Sequence, residues 1–239
     1  LFWVPQNGGL WPHLTVDQHL ESVCKVSKSS DEILIVLGLV HRRTAYPAEL
    51  SQGERSRLAL ARALATRANV LLMDEPLSHV DPVLKPTYWK AVAQFLARDQ
   101  MSVIFSSHEP ETVLRQSDSV ICMHDGRVVF QGATRQLYES PANPFLGAFL
   151  GPLNWFESDD AALFLTSAES RSAAFGIRPE RLMAVCDEES PVSLVDVMFQ
   201  GGTVESVVKH IESGKMRTVV HQVIGRMPQA GHRIRLQLT

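Results

Sequence analysis

An α/β domain with a largely parallel core sheet, followed by a small all-β domain, is the fold class that this sequence predicts. Two observations carry the prediction. Before residue 150, short apolar runs such as Val70-Leu-Leu-Met73 alternate with segments whose apolar residues recur at helical spacing. Beyond Gly151-Pro152, strand-like runs follow one another with glycines between them and no long helical pattern.

The elements follow in chain order. Leu1 to Pro5 reads as the end of a strand running into a Gln6-Asn-Gly-Gly loop. Thr15-Val-Asp-Gln18 has the capping-box pattern and predicts a helix to about Val26. Asp31 is placed to cap a second helix with Ile33, Leu34, Val36 and Leu37 on its apolar side. Ser51 to Gly53 opens a third, along which Leu58, Leu60, Ala61 and Leu64 recur. Val70 to Met73 suits a strand buried on both faces of a parallel sheet. Asp81-Pro82 predicts an N-cap with proline at the first helical position, the helix carrying to about Arg98. Met101 to Phe105 predicts a second buried strand, and His124-Asp-Gly126 a hairpin between Ser119–Met123 and Arg127–Gln131. Composition shifts at Glu139-Ser-Pro-Ala-Asn-Pro144, and the domain boundary is expected at 150/151. After it, strands are expected over Ala173–Ile177, Val192–Phe199, Thr203–Lys209, Arg217–Val223 and Arg233–Leu238. Turns are expected at Gly201-Gly202, Gly214, Gly225 and Gly231, so this domain is a small barrel or sandwich. Gly201-Gly202 reads equally as a turn or a bulge.

Composition narrows the function. The 239 residues carry a formal net charge of -3 and no strongly basic stretch, which argues against a nucleic-acid partner. Cys24, Cys122 and Cys186 are few and widely spaced, as expected of free thiols in a reducing compartment. No apolar run reaches the length of a membrane span, and no signal peptide is visible.

Chemistry is concentrated in three places. Asp74 and Glu75 end an apolar strand, where ligands of open α/β sheets collect. One carboxylate there suits Mg²⁺ held largely through water, and the next suits orienting or deprotonating an attacking water. Leu50-Ser-Gln-Gly-Glu54 sets a hydroxyl and a flexible glycine at a helix N-terminus, where phosphate is favoured. His108 follows the strand Val103-Ile-Phe-Ser-Ser.

These motifs, in this order and spacing, resemble those of ATP-binding cassette (ABC) ATPases. Leu50-Ser-Gln-Gly-Glu54 resembles the signature Leu-Ser-Gly-Gly-Gln, departing from it at Gln52 and Glu54. Val70-Leu-Leu-Met-Asp-Glu-Pro76 resembles the Walker B strand, and Ser78-His-Val-Asp81 the D-loop, in which Asp81 matches. His108 corresponds to the switch histidine, and Gln6 with Leu10-Trp-Pro-His-Leu-Thr-Val16 to the Q-loop. The resemblance implies a P-loop NTPase-like ABC nucleotide-binding domain over residues 1–150, with a parallel core sheet and a helical subdomain. It implies ATP and Mg²⁺ as cofactors. Glu75 and His108 would be catalytic, and Asp74 with Gln6 would serve the metal. Gln6, Ser51, Gln52, Gly53, Glu54 and Asp81 would contact nucleotide. Glu54 would also add a negative charge near the γ-phosphate. Phe175-Gly-Ile-Arg-Pro-Glu180 resembles the TOBE domain of importer ATPases, an OB-like β appendage assigned to residues 151–239. Arg178 within it is read as an anion or effector ligand or, in preference, a structural salt bridge.

The expected function is therefore that of an importer's ATPase subunit, peripheral on the cytoplasmic face of the plasma (inner) membrane. Its partners would be a second ATPase subunit, transmembrane permease subunits and, indirectly, a solute-binding protein. The other class in view is a non-hydrolysing module that lends its signature helix or senses solutes. The chain opens with Leu1-Phe-Trp-Val-Pro-Gln rather than Met, and no Gly-x-x-x-x-Gly-Lys-Ser/Thr occurs, so truncation before the Q-loop is expected. The 239-residue chain should accordingly release no phosphate from ATP, because little in it cradles the β- and γ-phosphates. A phosphate-release assay on the isolated chain checks this, and turnover at an ordinary ABC ATPase rate would contradict it.

Overall fold

Three parallel strands organise the first half of the chain. The computed structural model describes residues 1–24, 27–166, 173–223 and 227–239. Of the expectations above, Val26 and Gly225 lie outside these residues. The described chain divides into two compact units, Leu1–Glu109 and Pro110–Thr239, so the boundary expected at 150/151 falls inside the second.

In the first unit the elements run β1 (Phe2–Val4), α1 (Val16–Glu21), α2 (Ser27–Val36), α3 (Gln52–Ala65), β2 (Val70–Asp74), α4 (Lys85–Arg98) and β3 (Ser102–Ser106). The sheet order is β1-β2-β3, all parallel, with Val4 opposite Met73 and Met73 opposite Phe105. Phe2, Val4, Leu71, Met73, Val103 and Phe105 share one face and pack on the helices around Leu58, Leu64, Val92 and Phe95. On the other face Trp3 and Ile104 are 60% and 61% exposed. β2 and β3 are thus closed on one side only, not on both as their apolar runs suggest.

One helix end and two helix starts differ from expectation. α1 ends at Glu21, capped by Ser22. α2 begins at Ser27, which leaves Asp31 in mid-helix, where it pairs with Arg43 instead of capping. α4 begins at Lys85, with Pro86 in its first turn. A helix starting at Pro82 would need the N–H that Pro86 lacks, so the second proline sets the start. Asp81 instead closes a turn, its Oδ1 accepting the Val83 N–H at 2.8 Å.

The second unit runs α5 (Pro110–Gln116), β4 (Ser119–His124), β5 (Arg127–Ala133), α6 (Thr134–Glu139), α7 (Pro144–Ala148), β6 (Asn154–Phe156), α8 (Ser158–Phe164), β7 (Phe175–Ile177), β8 (Leu182–Cys186), β9 (Val192–Phe199), β10 (Val204–His210), β11 (Met216–Val223) and β12 (Ile234–Leu238). β4 and β5 form the expected hairpin, with Asp125 and Gly126 at φ +48° and +72°. The last five strands pair in the order β12-β8-β11-β10-β9, with β8 and β11 parallel. A bridge between Ser193 and Arg233 brings β9 back against β12, so the sheet closes into a small barrel. Phe156, Phe164, Leu182, Val208, Val219, Ile234 and Leu236 belong to its core. Gly201-Gly202 is the β9–β10 turn, closed by Gln200 N–H to the Thr203 carbonyl, and the bulge lies at Val207/Val208 instead. No helix among the described residues is long and apolar enough to cross a membrane.

Arg178 is neither an anion ligand nor a salt bridge. It is 3% exposed and gives every nitrogen to backbone carbonyls. Nε donates to Tyr138 (2.9 Å), Nη1 to Gly151 and Pro152 (3.0 Å each) and Nη2 to Gly147 (3.1 Å). The guanidinium lies 4.2 Å from the centre of the Tyr138 ring, and burial lowers its pKa. Residues 138–152 are therefore tied to the segment that leads into the barrel. A fragment beginning at residue 151 should unfold at lower urea than one beginning at residue 110. In the longer fragment Arg178→Lys should cost about 2–3 kcal/mol, since one ammonium cannot serve four carbonyls. Equal urea midpoints for the two fragments would contradict this account.

Candidate functional site

The carboxyl ends of the three parallel strands bring the sequence-predicted acid and imidazole groups together. β2 ends at Asp74, which pairs in register with Ser106 at the end of β3. The Ser106 hydroxyl donates to Asp74 Oδ1 at 2.5 Å and accepts the Glu75 N–H at 3.0 Å. Glu75 stands at φ +48°, a left-handed conformation uncommon for a non-glycine residue. With its backbone held there, its carboxylate Oε1 meets His108 Nδ1 at 2.6 Å. The imidazole is largely exposed and the carboxylate half-buried. Gln6 lies two residues beyond the end of β1, at the same edge of the sheet, exposed in a turn closed by Gly8 N–H to the Pro5 carbonyl at 2.8 Å.

Ser106 is the residue that sequence reasoning missed. It reads there as one of two serines ending a strand, and only the parallel register sets it opposite Asp74. It holds two functional candidates at once, the side chain of one and the backbone of the other.

A second group forms at the start of α3. Ser51 caps the helix, and its hydroxyl accepts the Glu54 N–H at 3.2 Å. Glu54 Oε2 returns to the Ser51 N–H at 2.8 Å, completing a capping box. The other Glu54 oxygen takes Arg42 Nε at 2.9 Å, with His41 Nε2 at 3.6 Å. The Glu54 charge is therefore turned into its own cap and matched by Arg42, not aimed outward as its sequence position suggests. Hydrogen bonding from the Ser51 backbone, opposed by burial and helped by Arg42, lowers its pKa to about 2. Gln52 and Ser51 are exposed, and the N–H groups of Gln52 and Gly53 have no partner within the helix. A Cβ on Gly53 would meet the His79 carbonyl oxygen at 3.2 Å, so glycine lets α3 seat on the loop that ends in Asp81. Gly53 thus has a reason to be glycine inside its own chain.

The donor set suits Mg²⁺. With Asp74 Oδ1 committed to Ser106, Oδ2 is the oxygen left for a cation. Among the described residues no group of three or more His, Cys, Asp or Glu could cage a metal. Mg²⁺ needs no such cage, because it takes one or two carboxylates and completes its shell with water and phosphate.

Residues 1–78 match the model of the ABC transporter family. The fold is shared with a solved ATP-binding subunit of an ABC transporter, at a TM-score of 0.51 and 22% identity over 57% of this chain and 60% of that one. Among particular relatives, the Fe(3+) ions import ATP-binding protein of Fusobacterium nucleatum is 34% identical over 62% of this chain and 42% of its own. The spermidine/putrescine import ATP-binding protein of Marinobacter nauticus is 30% identical over 87% of this chain and 64% of its own. The sulfate/thiosulfate import ATP-binding protein of Synechococcus elongatus is 26% identical over 90% and 65%. This chain thus spans 42% to 65% of the length of these relatives. These relatives are named as import ATP-binding proteins.

Glu54 provides a pH test of the second group. Its folded pKa lies below the ordinary 4.5, so the stability it contributes is present above 4.5 and is lost as pH falls toward about 2. Glu54→Gln keeps the capping box but removes the titrating group. Its urea midpoint should fall less steeply than the wild type's between those two pH values. Parallel pH profiles for the two proteins would contradict this assignment.

Proposed function

We propose that this chain is the water-activating and signature-bearing part of an ATP-hydrolysing subunit of an ABC importer. The observation that supports it most directly is the contact of Glu75 with His108 beside Asp74, at the carboxyl ends of adjacent parallel strands. Glu75 takes the proton of the attacking water. His108 holds the carboxylate that does so, through Nδ1, and presents the rest of its exposed ring toward the phosphate side. Ser106 fixes Glu75 through its N–H and Asp74 through Oδ1. Asp74 and Gln6 are the residues that would hold Mg²⁺, which when bound supplies neutralising charge to the phosphates. Gln52 and Gly53 present backbone N–H groups, and Ser51 its hydroxyl, from a helix N-terminus to the nucleotide of a second subunit. Asp81 shapes the loop on which Gly53 rests.

In this reading residues 1–150 belong to the nucleotide-binding domain, and the barrel of residues 151–239 is the TOBE-like appendage. The protein works as a dimer on the cytoplasmic face of the membrane, docked on permease subunits that a solute-binding protein supplies. The importer class rests on the relatives, which are import proteins for ferric iron, polyamines and sulfate.

The test is Glu75→Gln in the full-length protein. It keeps shape and removes the base. Nucleotide binding should persist while steady-state hydrolysis falls by about two orders of magnitude or more. Near-wild-type turnover would make Glu75 a structural residue and sink the reading.

A further inference from the structure

The geometry points to Arg62 as the positioning residue for Gln6: it fixes the loop after β1 onto α3. Through it Gln6 and the N-terminus of α3 move as one body. The inference rests on the reading of Gln6 as part of the nucleotide site.

Arg62 lies on the helix that Ser51 caps, eleven residues further on. The residue is 4% exposed, and its guanidinium fork is committed to two successive carbonyls of the Gln6 loop. Nη1 donates to Gly9 at 2.7 Å and Nη2 to Gly8 at 2.9 Å. Its flat faces are used as well, with the Trp11 ring centre at 4.6 Å and that of Phe2, on β1, at 5.6 Å. Nε is buried without a partner, and burial lowers the pKa of the group. A charge held this way, with one donor sacrificed, is a costly means of filling a core. Leucine or methionine would fill the same space without the loss.

The loop is shaped to receive the fork. Gly8 and Gly9 stand at φ +77° and +55°, which turns their carbonyls in succession to the same side. A Cβ on Gly8 would press on Ala59 Cβ at 3.2 Å, so the backbone seats on α3 at Ala59 and Arg62, three residues apart on one helix face. Beyond the glycines, the Trp11 N–H donates to His19 Nε2 at 2.9 Å. His19 Nδ1–H donates in turn to the Thr15 carbonyl at 2.8 Å, and the two rings stack at 5.6 Å. His19, fully buried, therefore closes the far end of the loop, while His13 is exposed. Gln6 itself stays exposed. Its backbone is held from both sides while its amide is left to work.

Lysine does not replace this fork, because a single ammonium cannot reach two successive carbonyls and stack on two rings at once. Arg62→Lys retains charge and stem and so spares the fold. In the full-length protein without nucleotide, exchange of the amides of residues 7–11, read by hydrogen-exchange mass spectrometry, should quicken by about tenfold or more while that of α3 stays unchanged. In steady-state ATPase assays kcat should fall between about tenfold and a hundredfold with KM for ATP little changed, as for Gln6→Ala. The double variant should be no slower than the slower single. Unchanged loop exchange, equal loosening of α3, or multiplicative losses in the double variant would each overturn the assignment. Full turnover in Gln6→Ala alone would instead remove Gln6 from the site, while the exchange measurement would still decide whether Arg62 clamps the loop.

Discussion

The site depends on the parallel pairing of β2 with β3, with Asp74 opposite Ser106. One residue of slip would turn every side chain of β2 to the other face. It would bury Asp74, expose Met73 and part Glu75 from His108. The register is therefore specified by apolar burial, through Leu71 and Met73 on the core side, and not by the polar groups it aligns. Ser106 then uses that alignment. Its single hydroxyl donates to one candidate and accepts from the next, and the left-handed backbone at Glu75 is tied down by the second of these bonds. A strained conformation persists only where its surroundings over-determine it, and here the neighbouring strand does so.

α3 is the second organising element, because each of its ends has a different task. Its N-terminus is committed to Ser51, Gly53 and a self-contained box in which Glu54 is neutralised by Arg42. Its later turns hold the Gln6 loop through Ala59 and Arg62. Between them the apolar residues Leu58, Leu60, Ala61 and Leu64 are all buried, so the helix cannot easily bend or shift its face. A rigid rod whose two ends touch different parts of a site is a simple way of keeping those parts in step.

The barrel unit relies on closure and on one buried cation. The Ser193–Arg233 bridge removes the open edges of a five-stranded sheet. Arg178 solves another problem, the backbone carbonyls that the chain must bury where residues 138–152 approach the segment leading into the barrel. One guanidinium satisfies four of them. An acidic partner would have used fewer carbonyls, which is why the ion pair expected of Arg178 is absent from its contacts.

Much of the local structure was legible in the sequence because it depends on neighbours in the chain. The capping box at Thr15, the helix start at Ser51, the Asp125-Gly126 hairpin and the span Val192–Phe199 are found as read. Their signals are turn chemistry and periodicity within a few residues. Short elements without such signals, β6, α8 and β8, were not legible, and Pro86 overrode the helix start that Asp81-Pro82 suggested. At the site, the sequence by itself determined which groups are present and which strand and helix ends carry them: Gln6, Ser51, Asp74, Glu75 and His108. The tertiary structure alone decided their company. Ser106 opposite Asp74, Glu54 turned onto Arg42, Arg178 on carbonyls and Arg62 on the Gln6 loop all join residues distant in sequence. Those pairings follow from strand register and helix packing, which are set by the joint burial of the whole apolar face and leave no trace in any one segment.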